Sequence, residues 1–301
     1  MKIDIAQIAA SLEAVIRPDD PPERLVKILY WVISVDMSDQ PNLQDDSSIW
    51  ELAESVSVDV ADEVDTRQAN AETDGVFYGI EIFGSNREYV RGSCFPDANL
   101  AEPLREGRSR RLKYAKIREF LDGINWREFE YLSRYVVQKM GADRARFSSR
   151  SDDGGIDFYG RLELEGRLDD QLPLGGVDRR LHVWLVGQSK HYPSSEVGPA
   201  EVRELVGAVE LARTGGAPQK WDGLSLRPFD PVAYLFFTTG RFSRGARKLL
   251  AHSGVVAMNG DQLATFLADV AAGINPVSGE FDRDVMMEEV RSSFKSAEVS
   301  P

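Results

Sequence analysis

The residues with the clearest chemical potential are an aspartate behind two glycines and a polar triplet that closes an apolar run. The first segment reads Asp153-Gly-Gly-Ile-Asp157, and the second ends in Gln188-Ser-Lys190. Side chains alternate along a strand, so Gln188 and Lys190 are expected on one face. The two glycines permit a bend that aims Asp157 out of a sheet edge. If the two strands are neighbours, a carboxylate, an amide oxygen and an ammonium group converge.

Such a point offers what the hydrolysis of a phosphodiester requires. Mg²⁺, or Mn²⁺ as a substitute, takes oxygen ligands, which Asp157 and the amide or backbone of Gln188 would supply. A bound cation polarises the phosphate and lowers the pKa of a bound water. Lys190 can orient or deprotonate that water, or balance charge in the transition state. Glu130, at the edge of the apolar stripe of the preceding helix, is a candidate for a second carboxylate at the metal.

The elements that must position these residues alternate between helices and short strands. A helix is predicted from the capping pair Asn125 and Glu128 to Gly141, because apolar residues recur at helical spacing between them. The predicted strands are Ile156–Leu164, His182–Lys190, Val232–Thr239 and Val255–Met258. The further helices are Pro199–Arg213, Ser243–His252 and Asp261–Ala271. The order α-β-β-α-β-α-β-α predicts an α/β domain whose central sheet carries both motifs.

Six short motifs occur in order along this half of the chain. They are FEYL (129–132), KMGA (139–142), DDGGID (152–157), VGQSKHY (186–192), VRELVGAV (202–209) and FFTTGRF (236–242). With these motifs, residues 117–272 resemble the catalytic domain of Mrr-like, type IV restriction endonucleases. That family belongs to the PD-(D/E)XK nuclease superfamily, in the branch whose third motif reads Q-x-K. One departure is the long stretch Arg161–Arg180, which is typical of an extended hairpin.

The resemblance implies a fold and an activity. The expected fold is a restriction-endonuclease-like central mixed sheet flanked by helices, and the expected activity is metal-dependent cleavage of DNA. It places Asp157, Gln188 and Lys190 at the family's catalytic positions, and Glu130 at the position of its helix-borne acid. Asp157, Gln188 and Glu130 would then be the metal ligands.

The N-terminal third carries no chemical signature. A helix is predicted in Pro22–Val35 and another through Ile49–Val56, whereas the acidic stretch Asp59–Asp74 is interpreted as loops or solvated faces. Val76–Phe83 and Arg87–Phe95 predict a β-hairpin, and Ala98–Arg111 a linker. We therefore predict three parts. Residues 1–110 form an acidic α+β domain that senses a target or binds a partner, and residues 111–275 form the nuclease domain. Residues 276–301 form an acidic tail, with a loose helix around Val285–Phe294 or none.

The net charge of −13 is concentrated in the N-terminal third. Residues 1–110 hold 22 acidic and 10 basic side chains, a net charge of −12, whereas residues 111–275 hold 21 and 23, a net charge of +2. The whole-chain charge therefore does not describe the nuclease half. A net charge of +2 is nevertheless small for a domain that binds DNA, a polyanion. The candidates for contact with the DNA backbone are Arg203, Arg241, Arg244, Arg247 and Lys248.

Two functional hypotheses stay open. The first is an active endonuclease in restriction or anti-phage defence that cuts double-stranded DNA as a homodimer, since a double-strand cut needs two sites. The second is a partner-activated or catalytically silent nuclease-fold subunit whose acidic N-terminal half binds a protein. A junction or repair nuclease would share the chemistry. The lone cysteine, Cys94, and the lack of a long apolar run favour a cytoplasmic protein without a membrane partner.

Overall fold

The computed structural model of the 301-residue chain describes residues 4–36, 45–148, 155–164, 181–216 and 221–298. The chain divides into two compact units, residues 1–114 and 115–301. Asp153 and most of the predicted hairpin in Arg161–Arg180 lie outside the described residues. Within the described part of the chain, no helix has both the length and the apolar character needed to cross a bilayer.

The first unit packs helices against a small antiparallel sheet. Its helices are α1 (Ile5–Val15), α2 (Leu25–Asp36), α3 (Asp46–Asp74) and α4 (Glu102–Arg111). Its strands are β1 (Glu23–Arg24), β2 (Ile80–Phe83) and β3 (Tyr89–Gly92), in the order β1-β3-β2. One buried cluster joins α1, α2, α3 and the sheet through residues such as Leu12, Leu29, Val60 and Ile80. The predicted α+β character, the helix in Pro22–Val35 and the hairpin are confirmed.

The acidic stretch Asp59–Asp74, interpreted as loops or solvated faces, belongs to the long helix α3, so the loops are wrong and the solvated face is present. Val56, Val60 and Val64 recur at a spacing of four residues and are all buried, so this stretch has an apolar stripe. Its acidic side chains cover the solvent face of the same helix. Gly75, at a positive φ of 65°, ends the helix by donating its N–H to the last turn. Because acidic residues are frequent in this stretch, its helical spacing of apolar residues was not recognised from the sequence.

The stretch Ala98–Arg111, predicted as a linker, contains helix α4. Pro103 lies in its first turn, where a missing N–H costs no helical hydrogen bond. The helix buries no residue fully, and a polar contact holds it instead. Arg108 donates to both carboxylate oxygens of Glu81 at 3.0 Å and to the carbonyl of Phe95 at 3.3 Å. An apolar pattern could not reveal a helix that is attached through a charged pair.

The second unit is built on one mixed five-stranded sheet. Its strands are β4 (Asp143–Phe147), β5 (Phe158–Glu163), β6 (His182–Lys190), β8 (Val232–Thr238) and β10 (Val256–Met258), in the order β10-β8-β6-β5-β4. β5 is antiparallel to β4 and β6, whereas β8 is parallel to β6 and β10. The short strands β7 (Glu196–Val197) and β9 (Arg241–Phe242) pair separately. The helices are α5 (Tyr114–Gly123), α6 (Trp126–Lys139), α7 (Pro199–Thr214), α8 (Arg244–Ser253), α9 (Gly260–Asp269) and α10 (Arg283–Glu298). The predicted central mixed sheet flanked by helices is confirmed.

Helices α6 and α7 cover opposite faces of this sheet. Val186 of β6 lies in one buried cluster with Val202 and Leu205 of α7. Gly160 of β5 points the other way, and a β-carbon added there would lie 3.0 Å from the Cβ of Ala142, just after α6. Because side chains alternate along each strand, even-numbered residues of β6 face α7 and odd-numbered residues face α6.

Helix α10 packs against α6, with Met286 and Val290 fully buried. Arg134 of α6 is buried as well and holds the helix by hydrogen bonds. Its guanidinium donates to the carbonyl of Ala145 at 2.5 Å, to Oγ of Ser293 at 3.0 Å and to the carbonyl of Ser293 at 3.1 Å. Burial lowers the pKa of Arg134 to about 10. The helix expected around Val285–Phe294 is therefore present, and it is part of the core of this unit.

Candidate active site

Asp157 lies immediately before β5, where its backbone and its carboxylate are both fixed. Its N–H donates to the carbonyl of Gly187 at 2.9 Å, and its carbonyl accepts from the N–H of Ser148 at 2.7 Å. Oδ2 of the half-buried carboxylate accepts from the N–H of Ser189 at 2.7 Å and from its hydroxyl at 3.0 Å. Ser189, the middle residue of the Gln-Ser-Lys triplet, therefore positions the carboxylate of Asp157. Sequence reasoning missed Ser189, because a serine between two candidate residues has no signal of its own.

Gln188 is the most buried member of the predicted site. Phe158 pairs with Gly187 across β5 and β6, so Asp157 and Gln188 come next to each other in the register. The Gln188 side chain is 2% exposed, and its Oε1 has no hydrogen-bond partner among the described residues. An amide oxygen that is buried without a donor is costly, so this atom fits a ligand to a cation.

The glycine before Asp157 makes room for this arrangement. Gly155 has a φ of +90°, which L side chains rarely adopt. A β-carbon there would lie 3.3 Å from the Cβ of Ala208 and 3.7 Å from Nε2 of Gln188. The glycine therefore lets the segment pass close beneath α7 and beside the buried amide. The expected glycine bend is present at this position, while its partner, Gly154, lies outside the described residues.

Lys190 ends β6, two residues beyond Gln188 and on the same face of the strand. It pairs with Thr238 of β8 and is half-exposed. The chain beyond it is held by the fully buried Thr239, whose Oγ1 accepts from the N–H of Tyr192 at 3.0 Å. The carbonyl of Thr239 in turn accepts from Arg118 at 3.0 Å. The strand end that carries the Lys190 side chain is therefore fixed by hydrogen bonds.

Glu130 approaches from the opposite face of the sheet. It is half-buried on α6, next to Phe129, whose ring centre is 6.0 Å from that of His191, just past β6. Glu130 therefore lies near the end of β6, but its helix covers the face away from Gln188 and Lys190. Within the described residues, no three His, Cys, Asp or Glu side chains are grouped so as to hold a metal ion.

The basic candidates lie on the elements that follow β6 and β8. Arg203 on α7, Arg241 on β9, and Arg244, Arg247 and Lys248 on α8 are all exposed. The starts of the two helices are adjacent, because a β-carbon at Gly245 would lie 3.1 Å from Cγ of Pro199. Both helices begin after the carboxyl ends of parallel strands, the end of the sheet where Lys190 lies. The fold thus brings the predicted DNA-contact residues to the edge that carries the predicted site.

The donor set fits a hard divalent cation such as Mg²⁺. Asp157 offers a carboxylate and Gln188 an amide oxygen that has no donor in the part of the chain that the structure describes, and both are oxygen ligands of the kind Mg²⁺ prefers. Ser189 holds the carboxylate through its N–H and hydroxyl, as partners of ligating carboxylates do. A lysine two residues further along the strand can offset the charge of a bound phosphate.

Residues 121–218 match the Mrr catalytic-domain family, which is described as "Restriction endonuclease". This segment is similar to the catalytic domain of Mrr-type restriction endonucleases. It runs from the end of α5 through α7 and contains Glu130, Asp157, Gln188, Lys190 and Arg203. The predicted family resemblance is confirmed.

Two solved structures of restriction endonucleases are also similar to the chain. "MspJI Restriction Endonuclease in Complex with 27-mer Oligonucleotide" is 22% identical, with a TM-score of 0.40, over 67% of this chain and 40% of that one. "DNA modification-dependent restriction endonuclease AspBHI" is 14% identical, with a TM-score of 0.38, over 70% of this chain and 46% of that one. The chain therefore spans less than half the length of either structure. No curated protein matches it.

Proposed function

We propose that this protein is a metal-dependent DNA endonuclease that hydrolyses phosphodiester bonds at Asp157, Gln188 and Lys190. One observation carries the proposal: the buried Oε1 of Gln188 has no partner among the described residues, and Gln188 follows the cross-strand pair Phe158–Gly187 on β6 just as Asp157 precedes it on β5. A buried acceptor that lacks a donor among the described residues can be satisfied by a cation, a ligand or a water, and the neighbouring carboxylate of Asp157 favours a cation. The restriction endonuclease family of this segment agrees with that chemistry.

Each residue has a separate task in this proposal. Asp157 and Gln188 hold the cation, Mg²⁺ or Mn²⁺, and Glu130 supplies a carboxylate from the α6 side of the sheet, near the end of β6. When bound, the cation polarises the scissile phosphate and lowers the pKa of the attacking water. Lys190 orients that water or offsets the negative charge that grows on the phosphate. Ser189 keeps Oδ2 of Asp157 in place through two hydrogen bonds.

The substrate in this proposal is double-stranded DNA. Arg203, Arg241, Arg244 and Lys248 would contact phosphates and set the position of the duplex without reading its sequence. Cutting both strands requires two sites, so a homodimer is the expected active form. A cytoplasmic role in restriction or defence against phage completes the proposal.

The acidic first unit favours a second candidate, a nuclease subunit that is activated by a protein partner. Residues 1–110 have a net charge of −12, which opposes the approach of DNA and suits a basic protein surface. In that case the pure protein is silent although its site is intact. The two candidates differ in what must be added before DNA is cut.

Cleavage of supercoiled plasmid by the pure protein tests the proposal. Methylated and unmethylated plasmids are incubated with Mg²⁺, Mn²⁺ or EDTA, using wild type, Asp157→Asn and the control Asp222→Asn. Asp222 is exposed on the same unit, far along the chain from both motifs. We expect metal-dependent cutting that Asp157→Asn abolishes and Asp222→Asn retains. Equal cutting by wild type and Asp157→Asn would contradict the assignment, and a silent wild type would favour the partner-activated subunit.

A further inference from the structure

The guanidinium group of Arg118, on α5, is fully used at the end of strand β8. Its Nη2 donates to the carbonyl of Thr239 at 3.0 Å, its Nε to Oδ1 of Asp261 at 3.1 Å and its Nη1 to Oδ1 of Asp122 at 2.6 Å. Asp261 is buried and lies in the first turn of α9. The side chain of Arg118 therefore links two helices to the residue that follows β8.

Thr239 connects this cluster to the segment that carries Lys190. Its side chain is fully buried, its N–H donates to the carbonyl of Lys190 at 3.4 Å, and its Oγ1 accepts from the N–H of Tyr192 at 3.0 Å. The next residue has no space for a side chain, because a β-carbon at Gly240 would lie 2.1 Å from the carbonyl oxygen of Tyr192. A displacement of the Thr239 backbone would therefore displace the strand end that carries Lys190.

A buried arginine often does no more than join helices, as Arg134 joins α6 to α10. Arg118 differs because one of its acceptors is the backbone of the turn beside Lys190. The start of α9 closes over the same carbonyl, since a β-carbon at Gly260 would lie 2.2 Å from the carbonyl oxygen of Thr239. A carbonyl that is enclosed in this way needs a hydrogen-bond donor, and Arg118 supplies one from another helix. Arg118 lies outside residues 121–218, the segment that matches the family.

We propose that Arg118 is a positioning residue of the nuclease site, which fixes the end of β6 and thereby the point from which Lys190 reaches water and phosphate. This proposal rests on the proposed function and deepens it, since it names what holds one of the three residues in place. Arg118 does not touch the substrate and acts through Thr239. A reacting group that is displaced by about 1 Å can lose about 100-fold in rate, so the effect belongs to the chemical step and not to DNA binding.

A double-mutant cycle in single-turnover cleavage tests whether Arg118 acts through Lys190. The full chain is compared as wild type, Arg118→Met, Lys190→Ala and the double variant, and binding of the duplex is measured separately with Ca²⁺. Arg227→Met is the matched control, because Arg227 donates to the buried Asp230 at 2.8 Å at the other end of β8. Arg118→Lys is a milder second variant, which keeps the charge but not the planar set of donors.

We expect Arg118→Met to cleave about 10- to 100-fold more slowly than the wild type, with Arg118→Lys between the two. Duplex binding by Arg118→Met and cleavage by Arg227→Met should stay within about twofold of wild type. In the Lys190→Ala background the change at Arg118 should cost no more than about twofold, because residues that act as a unit are not additive. An equal loss in both backgrounds, or none in either, would overturn the role of Arg118. Wild-type cleavage by Lys190→Ala would refute the proposed site itself.

Amide hydrogen exchange of the full chain provides a readout that needs no cleavage. We expect Arg118→Met to exchange faster than the wild type in residues 190–197, with β5 unchanged, since only the first segment is bonded to Thr239. Unchanged exchange in residues 190–197 would overturn the proposal, whether or not the chain cuts DNA. Faster exchange there in a chain whose wild type cuts no DNA would refute the proposed function and leave Arg118 a structural role alone.

Discussion

Removing the hydroxyl of Ser189 tests whether the fixed carboxylate of Asp157 matters for chemistry. Oδ2 of Asp157 accepts two hydrogen bonds from this residue, at 2.7 Å from the N–H and at 3.0 Å from the hydroxyl. Ser189→Ala removes the second and leaves the first. A hydrogen bond to a charged group contributes about 1.5–3 kcal/mol, and about 1.4 kcal/mol corresponds to a factor of ten in rate. Because the backbone N–H stays, we expect the lower end, a loss of about tenfold in the cleavage rate.

The assay is single-turnover cleavage of plasmid at several Mg²⁺ concentrations. Because the hydroxyl acts on a metal ligand, we expect part of the deficit to be recovered at high Mg²⁺. Ser189→Thr keeps a hydroxyl on a strand-compatible residue and should cleave faster than Ser189→Ala. Ser253→Ala, at the end of α8, serves as a control for serine loss. Wild-type rates in Ser189→Ala at limiting Mg²⁺ would refute the reasoning that this hydrogen bond positions the acid.

Three further predictions concern the glycine, the last helix and the basic edge. Gly155→Ala should lower the free energy of unfolding by about 1–2 kcal/mol in urea titrations, since its φ is +90°; an unchanged midpoint would count against that backbone. A chain that ends at Asn275 should lose at least about 3 kcal/mol relative to one that ends after α10, because the burial of Met286 and Val290 is lost and the buried Arg134 loses both hydrogen bonds to Ser293. Equal denaturation midpoints would contradict this. Arg244→Ala should weaken DNA binding on all sequences and reduce the slope of log K against log salt by about one; an unchanged slope would exclude a phosphate contact.

Much of the second unit could be predicted because its local signals are strong. The strand His182–Lys190 has the predicted bounds, and Asn125 and Glu128 form the predicted capping box at the start of α6. The spacing of apolar residues and the identity of the capping residues depend on the local backbone, so they predict these elements without knowledge of the tertiary contacts. β4 was missed because Asp143 and Arg146 interrupt its apolar pattern, as is common in an edge strand.

The parts of the candidate site that could not be predicted depend on contacts between distant elements. Sequence spacing gives the face of Gln188 and Lys190, but it does not show that Ser189 bonds to Asp157 from the next strand. It also does not show which helix covers which face. That arrangement separates Glu130 from Gln188 and brings α7 over the buried amide. Such facts arise only when the strands take their register.

Lys190→Ala, compared with wild type for both DNA binding and DNA cleavage, tests the central claim most directly. Binding of a labelled duplex is measured with Ca²⁺, and cleavage of the same duplex with Mg²⁺ and with Mn²⁺, using the exposed Lys139→Ala as the control. We predict that Lys190→Ala binds the duplex within a few-fold of wild type, with cleavage reduced by about 100-fold or more, the size expected for losing a catalytic proton carrier. Cleavage by Lys190→Ala at the rate of Lys139→Ala would contradict the assignment of this site.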